Sequence, residues 1–139
     1  MPEKNRKFTA PGVHNVGSYQ VSGIPYITGS ANLDNNGEHE INFPKVTKSV
    51  TVMNQSASPI RIHFASQDTG QVEQGLHFWV LDHSYMSGSS NSFTMNVKCK
   101  KLFISNKSGD DNLEYRVFAE LTGIDDIEMF ELTGAGITE

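Results

Sequence analysis

Apolar residues recur at every second position through most of this chain, and that period decides which folds are open to it. Val50 and Val52 alternate with Ser49 and Thr51; Ile60, Ile62 and Phe64 alternate with Arg61 and His63. Phe93, Met95, Val97 and Cys99 alternate with Thr94, Asn96, Lys98 and Lys100, and Leu113, Tyr115, Val117, Ala119 and Leu121 alternate with Glu114, Arg116 and Glu120. Successive side chains of a strand point to opposite faces, so each segment reads as a strand with one wet face. His77 to Leu81 and Leu102 to Ile104 are short apolar runs, which suit strands buried on both sides. No window longer than ten residues carries a helical period.

Turn-forming clusters separate these segments: Asp34-Asn35-Asn36-Gly37, Asn54 to Pro59, Asp68-Thr69-Gly70, Ser87 to Asn91 and Ser108-Gly109-Asp110-Asp111. With Val16 to Val21, Ile24 to Thr28 and Glu38 to Phe43 added, the chain holds roughly eight or nine short strands. Without helices there are no parallel crossovers, so the strands must pair antiparallel. The expected fold is all-β, an antiparallel β-sandwich of jelly-roll type with Greek-key connections.

A length of 139 residues suits one domain. Residues 1–15 read as an N-terminal arm, with Lys4, Arg6 and Lys7 near its start and Pro11-Gly12 breaking regular structure. Residues 16–139 read as the sandwich, ending in a short acidic tail. Glu-Leu-Thr-Gly occurs twice, at 120–123 and 131–134. That spacing is too short for a solenoid unit, so the two copies are expected to be similar strand ends, with a turn from Gly123 and a second strand or extended tail from Ile127 to Leu132.

Charge is distributed unevenly. Of the net −5, nine acidic residues and one basic residue fall between Asp110 and Glu139, which leaves the rest of the chain near +3. An acidic total disfavours bulk nucleic-acid binding, and lopsided charge suits protein partners or further copies of the chain. No signal peptide is read at the start and no apolar run is long enough to span a membrane. The single Cys99 excludes an intramolecular disulfide framework and points to a reducing compartment, where the Asn-x-Ser sequons at Asn54 and Asn106 have no role as glycan acceptors.

Catalytic and metal motifs are not found. His14, His39, His63, His77 and His83 form no close metal-type pair. Asp82-His83-Ser84 has the residue types of a triad, but adjacent residues cannot serve both nitrogens of one imidazole. Asp125, Asp126, Glu128 and Glu131 lack the spacing of a calcium loop. Cys99 is expected to be a buried structural thiol. No cofactor, metal or catalytic residue is assigned, and the expectation is a protein that is not an enzyme. The positive feature is the strand broken by Gly23 and Pro25, whose Ile24, Pro25 and Tyr26 are expected to form an apolar subunit contact on an edge.

Several segments together resemble a group of short virion proteins of tailed bacteriophages, especially marine and cyanobacterial ones. They are 11–23, Pro25 to Gly29, Phe43 to Ser49, Val97 to Asn106, Val117 to Ile124 and Leu132 to Thr138. The resemblance covers nearly the whole chain and carries over no defined site. It implies a capsid decoration, or cement, protein made in the host cytoplasm and bound to the major capsid protein on the capsid exterior. Copies of itself are the other implied partner, as a homo-oligomer, with trimers where a shell offers threefold positions; no nucleic acid or membrane is implied. A tail, neck or fibre component and a carbohydrate-binding jelly roll, with Trp79, Tyr85 and Tyr26 as stacking faces, are the alternatives. Trp79, inside an apolar run, is expected in the core. Complementary ends predict a head-to-tail contact in which Lys4, Arg6 and Lys7 of one copy meet Asp125, Asp126 and Glu128 of a neighbour.

Overall fold

The computed structural model describes residues 23–67, 70–82 and 91–132. The arm residues Lys4, Arg6 and Lys7, the expected strand 16–21, His83, Tyr85 and the Thr133-Gly134 end of the second Glu-Leu-Thr-Gly lie outside the described residues.

Among the described residues there are eight strands: β1 (Ile24–Leu33), β2 (Glu38–Asn42), β3 (Lys45–Asn54), β4 (Ile60–His63), β5 (Trp79–Leu81), β6 (Ser92–Met95), β7 (Lys101–Ser105) and β8 (Leu113–Asp125). A five-residue helix, α1 (Gly70–Gln74), interrupts the chain between β4 and β5. The strands form two four-stranded sheets, in the orders β1-β8-β3-β6 and β2-β7-β4-β5, and every pairing is antiparallel. Except from β4 to β5, each connection crosses from one sheet to the other. This is the strand order of a two-Greek-key jelly roll, so the all-β sandwich legible in the period-two pattern is the fold.

The core lies between the sheets and is built from the apolar phase of each strand. Leu33, Ile41, Val50, Val52, Ile60, Ile62, Leu81, Leu102, Ile104 and the β8 series Leu113, Tyr115, Val117, Ala119 and Leu121 form one buried cluster. A side chain such as Ile60 or Ile104 at zero exposure contributes about 1.5 to 3 kcal/mol by leaving water. Tyr115 also ties the sheets together, its hydroxyl lying 2.8 Å from Nδ1 of His39 on β2. Burial pushes that phenol up to about 12.

Loops at one end of the sandwich are wired to one another. Asn54, at the end of β3, donates from Nδ2 to the carbonyls of Ser58, Leu81 and Asp82, at 2.9, 3.2 and 3.1 Å. Its Oδ1 accepts from the amide and hydroxyl of Ser56 at 3.0 and 2.7 Å. Asn106, at the end of β7, repeats the device: Nδ2 donates to the carbonyls of Leu33 and Asp110, and Oδ1 accepts from the amide and hydroxyl of Ser108. Ser58 donates to Asp110, joining the two loops directly. Both Asn-x-Ser sequences are therefore buried turn braces, each Asn being fully inaccessible.

Four expectations need correction. β8 does not end at Gly123 but runs to Asp125, because a register shift against β3 absorbs the extra residues, with Thr122 Oγ1 donating to the Val46 carbonyl at 2.8 Å. Ile127 to Leu132 is a 3-10 turn (Asp126–Glu128) followed by irregular chain, whose Met129 closes a small cluster with Val46 and Ile124. β6 stops at Met95, and Val97 and Cys99 lie on the crossover to β7, where Thr47 Oγ1 holds the Val97 carbonyl at 2.8 Å. Finally, the run 77–81 is not buried on both sides: only Leu81 is in the core, and Trp79 and Val80 are exposed.

Candidate functional site

The outward face of the β1-β8-β3-β6 sheet follows from the strand registers. Ile27 on β1 pairs with Phe118 on β8, Phe118 with Thr51 on β3, and Thr51 with Thr94 on β6. These four residues make one row across the sheet. Ile27 is 70% exposed and Phe118 38%, although each sits in the polar phase of its strand. One step along β8 in each direction, Arg116 and Glu120 flank the row, paired with Gly29 and Pro25.

Two positions at the β1 side of this face have room only for glycine. A Cβ at Gly29 would lie 2.6 Å from the Tyr115 carbonyl oxygen and 2.8 Å from Cδ of Arg116, so the arginine stem lies across the space that a side chain would fill. A Cβ at Gly23 would lie 2.4 Å from Cβ of Glu120. The Arg116 guanidinium reaches along the strand to Glu114 at 2.6 Å and donates to the Tyr115 carbonyl at 3.1 Å.

The expected contact on β1 divides. β1 is an edge strand with β8 as its one neighbour among the described residues. Ile24 and Pro25 are exposed there, but Tyr26 faces inward and packs edge-on against Phe43, with ring centroids 5.6 Å apart. Alternation requires this, since Tyr26 pairs with the core residue Ala119. The outward apolar residue is Ile27.

A second apolar area lies at the opposite edge of the sandwich, where β5 and β6 end the two sheets. The Trp79 indole, in a residue 59% exposed, stacks on Phe93 at 5.5 Å and 15°. Its expected place in the core is thus corrected: position 79 pairs with Ile62 on an edge strand that has no neighbour beyond it among the described residues. Beside it Val80 and Leu76 are exposed, and the Arg61 guanidinium sits 4.1 Å above the Phe78 ring.

The acidic residues near the carboxyl end come together around the 3-10 turn, but part of their charge is met within the chain. Asp125 pairs with Lys45, and Glu131 lies 2.9 Å from Lys100 and 3.5 Å from Lys101. The Lys100 hydrogen bond holds the Glu131 carboxyl below its usual range, against a small burial effect. For Lys101 burial opposes the charge, yet Glu131 and Glu40 outweigh it and raise the ammonium. Glu128 is exposed and Asp126 half-buried.

Among the described residues there is one serine–histidine hydrogen bond. His63 Nε2 is 2.8 Å from Ser105 Oγ, the partnership that activates a serine nucleophile in hydrolases. Here Nδ1 lies 2.6 Å from the Ala65 carbonyl, which can only accept, so Nδ1 carries the proton and Nε2 accepts from Ser105. Both residues are 1% exposed, with His63 stacked on Phe103 at 5.9 Å, so the pair braces the interior. Cys99 is likewise fully buried, and burial pushes its thiol up to about 11 despite the opposing contact with Thr47. Among the described residues no three His, Cys, Asp or Glu side chains converge to hold a metal ion.

No protein-family model matches the chain, and no curated protein matches it. The residues missed from sequence are Ile27 and Phe118. The signal was available: an aromatic in the polar phase of β8, between a cation and an anion, has no core reason to be there.

Proposed function

We propose that this chain is a non-enzymatic structural protein of a virion, a decoration protein that binds the outer surface of a tailed-bacteriophage capsid and braces the shell. The observation that carries the reading is the placement of exposed large apolar side chains at two separate places on a jelly roll, Ile27 and Phe118 on the outward face of the β1-β8-β3-β6 sheet and Trp79 and Val80 on the edge strand β5. Contiguous exposed apolar surface marks sites of protein contact, and a protein held between neighbours needs two of them. The resemblance to short virion proteins and the use of jelly rolls in viral shells support the same role.

Copy number is the test. Quantitative mass spectrometry of purified particles is expected to find hundreds of copies, and particles lacking the protein are expected to lose their genomes at lower temperature. A handful of copies at one vertex would transfer the reading to a tail or neck component.

The exposed Trp79 ring favours one second reading, a carbohydrate-binding jelly roll, because an indole face against water is a platform for a sugar ring. A glycan array probed with the wild type and with Trp79→Ala decides it. Hits lost in the variant would support glycan binding, and an empty array would remove it.

A further inference from the structure

The outward face of the β1-β8-β3-β6 sheet places opposite charges on either side of an exposed apolar row. Along β8, Arg116 and Glu120 stand two residues to either side of Phe118, each roughly 7 Å away; Arg116 also pairs with Glu114 of its own strand at 2.6 Å, a contact it would share with the Glu120 it meets. The row Ile27-Phe118-Thr51-Thr94 crosses the sheet at the level of Phe118.

We infer that this face is a docking surface for a second copy of the chain, packed face to face about a twofold axis that runs along that row. Rotation about such an axis leaves each residue of the row opposite itself and reverses the direction along the strands. Phe118 then meets Phe118 of the second copy, Ile27 meets Ile27, and Arg116 of each copy faces Glu120 of the other. Oppositely charged residues spaced equally about a central aromatic are what an isologous contact requires, because one patch must complement itself. With no side chain at Gly23 and Gly29, two such sheets can approach to the usual separation of about 10 Å. A four-stranded face of about 20 by 20 Å covers on the order of 400 Å² per copy, which belongs with weak interfaces and sets the expected dissociation constant between micromolar and millimolar. This inference is independent of the virion reading, since a dimer in solution and occupancy on a capsid are separate measurements.

The experiment is sedimentation equilibrium of the full chain from about 10 μM to 1 mM, for the wild type, Arg116→Glu, Glu120→Arg and the double variant, with circular dichroism to confirm that each folds. Each single reversal sets like charges opposite one another at two places and is expected to weaken the dimer about tenfold or more. The double variant restores opposite pairs and recovers the dimer. Mixing the two single variants in equal amounts also recovers it, because 116 of one then faces 120 of the other with opposite sign at both places. A chain that stays monomeric to the highest concentration overturns the inference. So does a dimer indifferent to the reversals, or a face that becomes available to a second copy only when residues 1–22 are deleted, which would make that segment the occupant.

Discussion

Asn54 and Asn106 show how much a single side chain holds at the loop end of the sandwich. Each is fully buried and satisfies both amide hydrogens and the carbonyl oxygen through backbone and serine partners. Truncation would strand several buried carbonyls and amides, each costing about 1 to 3 kcal/mol when left unmade. Asn54→Ala and Asn106→Ala are each expected to lower the unfolding free energy by about 2 to 4 kcal/mol, read from urea denaturation. A loss under about 0.5 kcal/mol, typical of surface positions, would show that the brace is redundant. The sequence showed both asparagines as sequons and Asn54 as the start of a turn; that they serve as buried braces depends on carbonyls of Leu33 and Leu81, which no local pattern could bring near.

His63 carries the pH dependence at the same scale. Burial lowers its pKa from the ordinary 6.5, opposed by the Ala65 carbonyl and Glu38, while Arg61 lowers it further and Glu73 raises it. In the unfolded chain the imidazole takes up a proton near 6.5, and in the folded protein only below that. The unfolded state thus binds more protons as pH falls, and stability present above about 6.5 is lost progressively between the unfolded and the folded value. Chemical denaturation at a series of pH values from 7.5 to about 5 is expected to show this fall, and His63→Gln to reduce its slope. A slope unchanged in the variant would show that His63 does not carry the effect.

Among the elements, β1 and β8 depend on each other through a glycine. At Gly29 the nearest obstacle to a side chain is backbone, the Tyr115 carbonyl oxygen, so relaxation requires β1 to move. Gly29→Val would ordinarily favour a strand, but here it is expected to destabilise the protein by about 1 to 3 kcal/mol, as overpacking does. The expected local sign is faster amide hydrogen exchange along Ile24–Leu33 than along Lys45–Asn54. A more stable Gly29→Val protein would mean that β1 yields without cost. Element by element, β3 and β7 were readable because their burial alternates or fills as the residues alternate, whereas β4 was readable at Ile60 and Ile62 but not at His63, which is expected on the wet face and is buried. β5 was not, because an edge strand of three residues leaves Trp79 and Val80 in water however apolar the run looks. α1 was invisible for a different reason: five residues give no period, and the helix is fixed by the burial of Val72 and by Arg61, which donates to Glu73 at 2.5 Å.

At the scale of the whole molecule, the decisive fact is where the last strand goes. β8 lies between β1 and β3, so the first and last described strands are partners, with Tyr26 opposite Ala119 across more than ninety intervening positions. The same strand meets β3 along Lys45–Asn54 and supplies five of the core side chains, Leu113 through Leu121. Neither β1 nor the β3-β6 pair can complete a sheet before β8 arrives, and closing such long loops costs entropy before any contact repays it. Refolding of the full chain is therefore expected on the millisecond-to-second scale of non-local β topologies rather than in microseconds. Ending the chain after Asn112 is expected to abolish cooperative unfolding altogether, because β1 would lose its one described neighbour and the cluster its central row. Stopped-flow Trp79 fluorescence and thermal melts followed by circular dichroism measure both. A truncated chain that still melts cooperatively would show that the β2-β7-β4-β5 sheet with β3 and β6 is a folding unit by itself, and that β8 joins a structure already formed.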